Sequence, residues 1–384
     1  MIPKSSSPLS ALWTFPSILF SSFIIAWAAE AAQFLISQGL ALAILAWLQT
    51  LPEFAVEAVI AWEAGKDPTK THLAIANFTG SLRLLVGLGW PMIYFVAAGF
   101  GWRKKKGFVN IELEQEHSVE VFGLLLPILY FVFVWWKGTL SIWDSFPLLG
   151  CYILYLWVLW KIPPREEEEE ALEDLGAVPR RVLGLKPRFR NAAILGLFMA
   201  GGVILYFSAH PFLDSMLAIS ATFGISTFFF VQWVAPFLSE FPEKLSAFYW
   251  ARKVSTANVA LMNMVSSNIN QWTVLAAMIP IVFVISAGGN QPLTFDLHQR
   301  HEILLTILQS FLGFLLLLNL QLKMYEASIL FLFWIVQFLI PSWRGPMIYV
   351  YLGWCILELV RMVASRQAPA AWRGLRNTLT KRLA

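Results

Sequence analysis

Charge is what this sequence has least of. Of its 384 residues only 14% are Asp, Glu, Lys or Arg, where soluble domains carry about 25%. The remainder is apolar: 58% of the residues are hydrophobic and the mean hydropathy is +0.64. A chain with so little charge reads as a polytopic membrane protein. Cysteine is nearly absent too. Cys151 and Cys355 both lie in apolar runs, which leaves no disulfide framework. No glycine-rich phosphate loop is present, so a pump driven by nucleotide hydrolysis is not expected. No cleavable signal peptide is expected either, because the first apolar stretch outruns an h-region and carries Glu30. The net charge of +4 is then a topology signal and not a nucleic-acid signal. Eighteen tryptophans suit the headgroup level of a bilayer.

Apolar runs near the length of about 20 residues needed to span a bilayer predict eleven helices: 12–35, 39–64, 72–99, 118–136, 144–162, 191–210, 213–250, 256–286, 301–321, 325–340 and 345–363. The run at 213–250 exceeds one crossing. Its first part, to about Gly224, reads as the end of a long sixth helix. With the N-terminus outside, twenty Lys and Arg fall on inside segments and six on outside ones, as the positive-inside rule requires. Five helices precede a charged central loop. The second five then start from the opposite side, which makes the two halves inverted repeats. The expected organisation is a first repeat at 1–162, a cytoplasmic linker at 163–190, a second repeat at 191–340, and an extra helix with a basic cytoplasmic tail at 341–384. The five glutamates Glu166 to Glu170 read as a solvated linker.

The few polar residues inside the apolar runs are arranged twice. Gln49, Glu53 and Glu57 recur every four residues, which puts them on one helix face beside Thr50. Gln232, Ser239, Glu240, and Glu243 or Lys244 do the same in the second half. One crossing later come Asn77, Ser81 and Arg83 in the first half, and Asn263, Ser267, Asn270 and Gln271 in the second. Glu53 to Ser81 is 28 residues, and Glu240 to Ser267 is 27. A carboxylate in hydrocarbon is costly unless paired. Two at matching places in two halves point to a cation site at a repeat interface. Pro52 and Pro236 lie close to the two glutamates and free backbone carbonyls, which are hard oxygen ligands like the carboxylates. Asp296, His298, His301 and Glu302 have helical metal-ligand spacing. They are read as a loop with no further ligand nearby, and no enzyme is expected.

These paired segments resemble the two alpha repeats of the calcium/cation antiporter superfamily, the membrane region of sodium/calcium exchangers. Gln49-Thr50-Leu51-Pro52-Glu53 and Asn77 to Ser81 resemble its first repeat. Ser239-Glu240 and Asn263 to Gln271 resemble its second. The resemblance implies an all-α integral membrane fold of two inverted five-helix repeats plus one extra C-terminal transmembrane helix. It implies secondary antiport of calcium against sodium or protons by alternating access, with no cofactor. The bilayer and small cations are the partners, and an inner (plasma) membrane of bacterial type is the expected location. Carried over residue by residue, the transported-cation site is Glu53, Glu240, Thr50, Ser81, Ser267 and Gln271. Gln49, Glu57, Asn77, Arg83, Ser239, Glu243 and Asn263 are its modulators. The sequence departs from the family pattern at Leu85, Pro236 and Phe237, which supply no side-chain oxygen. Arg83 is an addition that needs a carboxylate partner. It has three readings: it tunes the site through Glu53, Glu57 or Glu240; it locks the site, leaving a non-transporting scaffold or sensor; or it faces another helix.

Overall fold

The computed structural model of the chain describes residues 7–32, 46–103, 110–161, 176–365 and 368–382. The glutamate run at 166–170, Lys104 to Lys106, and the start of the second expected span lie outside the described residues. The protein is an all-α integral membrane protein, with eight described helices long and apolar enough to cross a membrane by length and composition. Two shorter apolar helices, Thr227–Ser239 and Met324–Leu339, add to these.

The first half holds α1 (Ala11–Ala32) and α2 (Leu51–Lys66). A turn follows in which the Asp67 carboxylate accepts from the Thr69 hydroxyl at 2.7 Å and the Thr69 amide at 3.1 Å. Those two bonds hold the Asp67 carboxyl below its ordinary pKa. Then come α3 (Thr71–Leu84) and α4 (Trp90–Arg103), joined without a break by a π-helical turn, Leu85–Gly89. α5 (Ser118–Lys137) and α6 (Ser145–Trp160) complete this half.

The second half opens with α7 (Ala177–Leu183) and α8 (Pro187–Phe223). As expected, α8 runs unbroken for 37 residues to Gly224, which ends it with φ +65°; glycine takes that left-handed conformation without strain. α9 (Thr227–Phe229), a second π turn at Phe230–Val234, and α10 (Ala235–Ser239) lead to a break at Glu240, followed by α11 (Phe241–Arg252). α12 (Ala257–Asn270), a third π turn at Gln271–Leu275, and α13 (Ala276–Ala287) form the next span. α14 (Leu297–Leu317), α15 (Met324–Leu339), α16 (Arg344–Ala364) and α17 (Ala370–Arg382) finish the chain.

Two features differ from expectation. α14 begins at Leu297 because Asp296 caps it, its carboxylate accepting from the Gln299 amide at 2.7 Å. His298, His301 and Glu302 therefore stand on a helix and not in a loop. The basic tail also contains a helix, α17. Its Ala371 amide donates to the Leu318 carbonyl at 2.9 Å, and Trp372 packs edge-on against Phe122 at 5.7 Å.

The helices pack as two compact units that cut across the two sequence repeats. The first is drawn from 1–81, 163–245 and 281–290, the second from 82–162, 246–280 and 291–384. In the first unit α1 and α8 touch closely: a Cβ on Gly201 would lie 2.7 Å from Ile25, and Thr14 and Ser215 share a hydrogen bond of 2.9 Å. Small residues of this kind let membrane helices approach. In the second unit Phe131 packs edge-on against Trp272 at 4.7 Å, and the Trp272 indole donates to Ser310 at 3.1 Å. Two short antiparallel strand pairs also belong to it. β1 (Ile111–Glu112) pairs with β4 (Gln321–Leu322), and β2 (Thr139–Leu140) with β3 (Leu293–Thr294).

Candidate cation site

Proline positions both glutamates. Pro52 lies in the first turn of α2, and the helix that precedes it stops at Thr50. Proline is tolerated there because its missing N–H would be an orphan anyway. Glu53 follows in the same turn, at the positive end of the helix dipole. In the second half the break falls at Glu240 (φ −95°, ψ 0°). Its cause is Pro242 and not the Pro236 singled out from sequence. Pro242 cannot donate to the carbonyl of Leu238, and it disfavours helical backbone at Phe241. Pro236 starts α10 instead.

Within the first unit three of the predicted residues come together. Glu53 and Glu240 are fully buried, and their carboxyl groups lie within hydrogen-bonding range of each other. The Ser81 hydroxyl donates to Glu240 Oε1 and also lies within hydrogen-bonding range of Glu53. α3 reaches this place because Gly80 lets it touch the second π turn: a Cβ on Gly80 would sit 1.8 Å from the Gln232 carbonyl oxygen. One turn further along α2, Glu57 accepts from Asn77 Nδ2 at 2.6 Å. Thr50 and Ser239 turn their hydroxyl protons to backbone carbonyls, Trp47 at 2.9 Å and Ala235 at 3.0 Å, which leaves their oxygen lone pairs for a ligand. Gln49 and Glu243 are buried in the same unit.

Lys244 was not among the predicted site residues. It is buried, and its ammonium donates to Glu240 Oε2. The signal was in the sequence, since a Glu and a Lys four residues apart meet on a helix face.

Ser267, Gln271 and Asn263 are buried in the second unit, on α12 and the third π turn. The Ser267 hydroxyl has no hydrogen-bond partner among the described residues, and neither do the side-chain amides of Asn268 and Asn270. Buried polar atoms are seldom left so. Their grouping beside Ser267 marks Asn268 and Asn270 as candidates that the predicted site omitted.

Arg83 belongs to the second unit, and its partner there is Glu302. Its Nη1 donates to Gln337 Oε1 at 2.9 Å, and its carbonyl accepts from Gln309 Nε2 at 2.9 Å. The other Glu302 oxygen accepts from Arg344 Nη1 at 3.3 Å. Of the three readings of Arg83, these bonds correspond to the one in which it faces another helix. Glu302 is thereby engaged by two guanidinium groups. Among the described residues no cluster of three or more His, Cys, Asp or Glu is placed to hold a metal ion.

Two buried carboxyls and a shared hydroxyl are thus held together close to two helix breaks. The family model for sodium/calcium exchanger proteins matches residues 7–161 and 193–343, one stretch for each half. The chain belongs to the sodium/calcium exchanger family. It is thus a member of the calcium/cation antiporter superfamily. A crystal structure of an H+/Ca2+ exchanger, CAX, is similar at 34% identity, with 98% of this chain and 92% of that one covered and a TM-score of 0.88. The fold is shared with native YfkE (17% identity, 88% and 92% covered, TM-score 0.56). It is shared also with the sodium-calcium exchanger NCX_Mj (18% identity, 85% and 96% covered, TM-score 0.55). No curated protein matches the chain.

Proposed function

We propose that this exchanger-family protein carries calcium in exchange for protons, by alternating access at a site centred on Glu53 and Glu240. The observation that carries this reading is the contact between the two buried carboxyls. Like charges at that separation, away from water, cannot both stand bare. A proton, a metal cation or another positive group has to neutralise at least one of them. Calcium takes carboxylate, hydroxyl and carbonyl oxygens, and protons bind the same carboxylate oxygens. Occupancy is therefore exclusive. A carrier that crosses only when its carboxylates are neutralised must return one cation for another, and that exclusivity couples the two fluxes.

Ser81 and Thr50 supply hydroxyl oxygens on this reading, and the carbonyls freed by Pro52 and Pro242 supply more. The family pattern makes Ser267 and Gln271 candidate ligands from the second repeat, with Gln49, Glu57, Asn77, Ser239, Glu243 and Asn263 as modulators. Protons are favoured over sodium as the counter-ion by the likeness to CAX at 34% identity over nearly the whole chain. The absence of a side-chain oxygen at Leu85 points the same way, because a proton needs fewer ligands than a sodium ion. The basic segments favour a cytoplasmic central loop and C-terminus.

The test is calcium uptake by proteoliposomes holding Glu53→Gln, Glu240→Gln and the double variant. Glutamine keeps the shape and removes the exchangeable charge. The double variant is expected to move no calcium. Uptake at the wild-type rate in that variant would refute the site.

A further inference from the structure

We infer that Lys244 is a built-in rival of the transported cation: its ammonium group occupies Glu240 when no metal is bound, and calcium enters by displacing it. This rests on the reading of Glu53 and Glu240 as the transport site. In the structure both oxygens of Glu240 are taken, Oε1 by the Ser81 hydroxyl and Oε2 by the Lys244 ammonium. The two occupants differ in kind. A serine hydroxyl can rotate and offer its oxygen to an incoming metal. An ammonium has three donors and no acceptor, so it can share a carboxylate oxygen with a metal only at the cost of direct repulsion.

Lys244 has the means to leave. It stands in the first turns of α11, just past the break at Glu240, on a flexible four-carbon stem. A purely structural role explains it less well. Its side chain is only 5% exposed, and a buried ion pair is weak evidence for stability. Placed on the carboxylate that calcium needs, the lysine sets how much calcium is required to load the carrier. It also neutralises Glu240 when the carrier returns without metal, so that the returning proton is carried on Glu53.

The experiment compares wild type, Lys244→Met, Lys244→Gln and Lys244→Arg in proteoliposomes, reading KM and maximal rate for calcium. The calcium-induced rise in melting temperature of the detergent-solubilised proteins is read alongside. Removing the rival charge is expected to lower the calcium KM about tenfold, the scale of coupling between mutually exclusive occupants. It is also expected to enlarge the thermal shift and to lower the maximal rate. Lys244→Arg, which keeps the charge, is expected to stay near wild type in KM. Lys244→Gln serves if the methionine variant does not fold. Wild-type uptake with an unchanged or raised KM in both neutral variants would overturn the role of Lys244 and leave the transport site standing. Absence of both uptake and calcium-dependent stabilisation in wild type would overturn the site itself, and this inference with it.

Discussion

Glu240 is asked to do two things at once: it accepts from Ser81 through one oxygen and from Lys244 through the other, beside a second buried carboxyl. Glu53 shares the hydroxyl but sits at a helix N-terminus instead of in a break. The two glutamates are therefore alike in spacing and unlike in setting, and single substitutions should separate them. Glu240→Gln removes the lysine's partner and leaves an ammonium buried alone, which costs about 3–5 kcal/mol when one member of a buried pair is deleted. A melting curve should show this loss for Glu240→Gln and a smaller one for Glu53→Gln. Arg83 obeys the same rule in the second unit. Arg83→Asn leaves Glu302 paired with Arg344, so its cost is expected to fall below the about 3–5 kcal/mol of an uncompensated buried charge, and it is expected not to create or raise calcium transport. A gain of transport in that variant would revive the locked reading.

That Glu53, Glu240 and Ser81 come together was legible in their repeated spacing, because a carboxylate in an apolar run has few structural excuses. Other pairings were not. Arg83 offered three carboxylates in sequence and bonds a fourth, Glu302, 219 positions away. Nothing in a one-dimensional pattern carries that pairing. Lys244 lies four residues after Glu240, but that spacing alone does not distinguish it from Glu243 as the partner on the face.

At the scale of elements, the duplication is clearer in the backbone than in the side chains. A π-helical turn begins four residues after Ser81, at Leu85, and another four residues after Ser267, at Gln271. Such turns gather at functional sites. The sequence shows a ligand lost at Leu85, yet the helix there keeps the shape of its counterpart. Periodicity cannot reveal a π turn, since one extra residue in a helical run leaves no compositional mark. The breaks are a similar case. Each falls two residues before a proline, Thr50 before Pro52 and Glu240 before Pro242. Pro242→Ala restores the missing donor and is expected to heal the break. Calcium turnover should fall at least about tenfold, the loss typical when a positioned binding group is displaced by an ångström or more, with melting temperature unchanged or higher. Equal turnover would mean the break is incidental. Gly80→Ala tests the helix contact that brings Ser81 to the site. With its Cβ 1.8 Å from the Gln232 carbonyl oxygen, the helices must part. We expect a loss of about 1–3 kcal/mol, the usual penalty for overpacking, together with a weaker calcium site.

At the scale of the whole molecule, the all-α membrane fold and the two matched halves followed from hydropathy and repeated motifs, because hydrocarbon forces its spans to be apolar and helical, whereas eleven expected spans compare with eight long apolar helices and two shorter ones among the described residues. The packing units did not follow. They interleave the halves, dividing at Ser81, Ile162, Leu245, Pro280 and Asn290, and sequence order carries no trace of that. The tail reads as merely basic in sequence because a short cationic helix such as α17 is marked only by its docking. Transport belongs to this scale, and so does its most direct test. Purified wild-type protein in proteoliposomes, given external calcium and an outward proton gradient, should accumulate calcium, while the Glu53→Gln/Glu240→Gln variant should not. An outward sodium gradient in place of the proton gradient should drive little uptake. Uptake that follows sodium and ignores protons would contradict the proposed coupling, and no uptake under either gradient by folded protein would contradict calcium antiport itself.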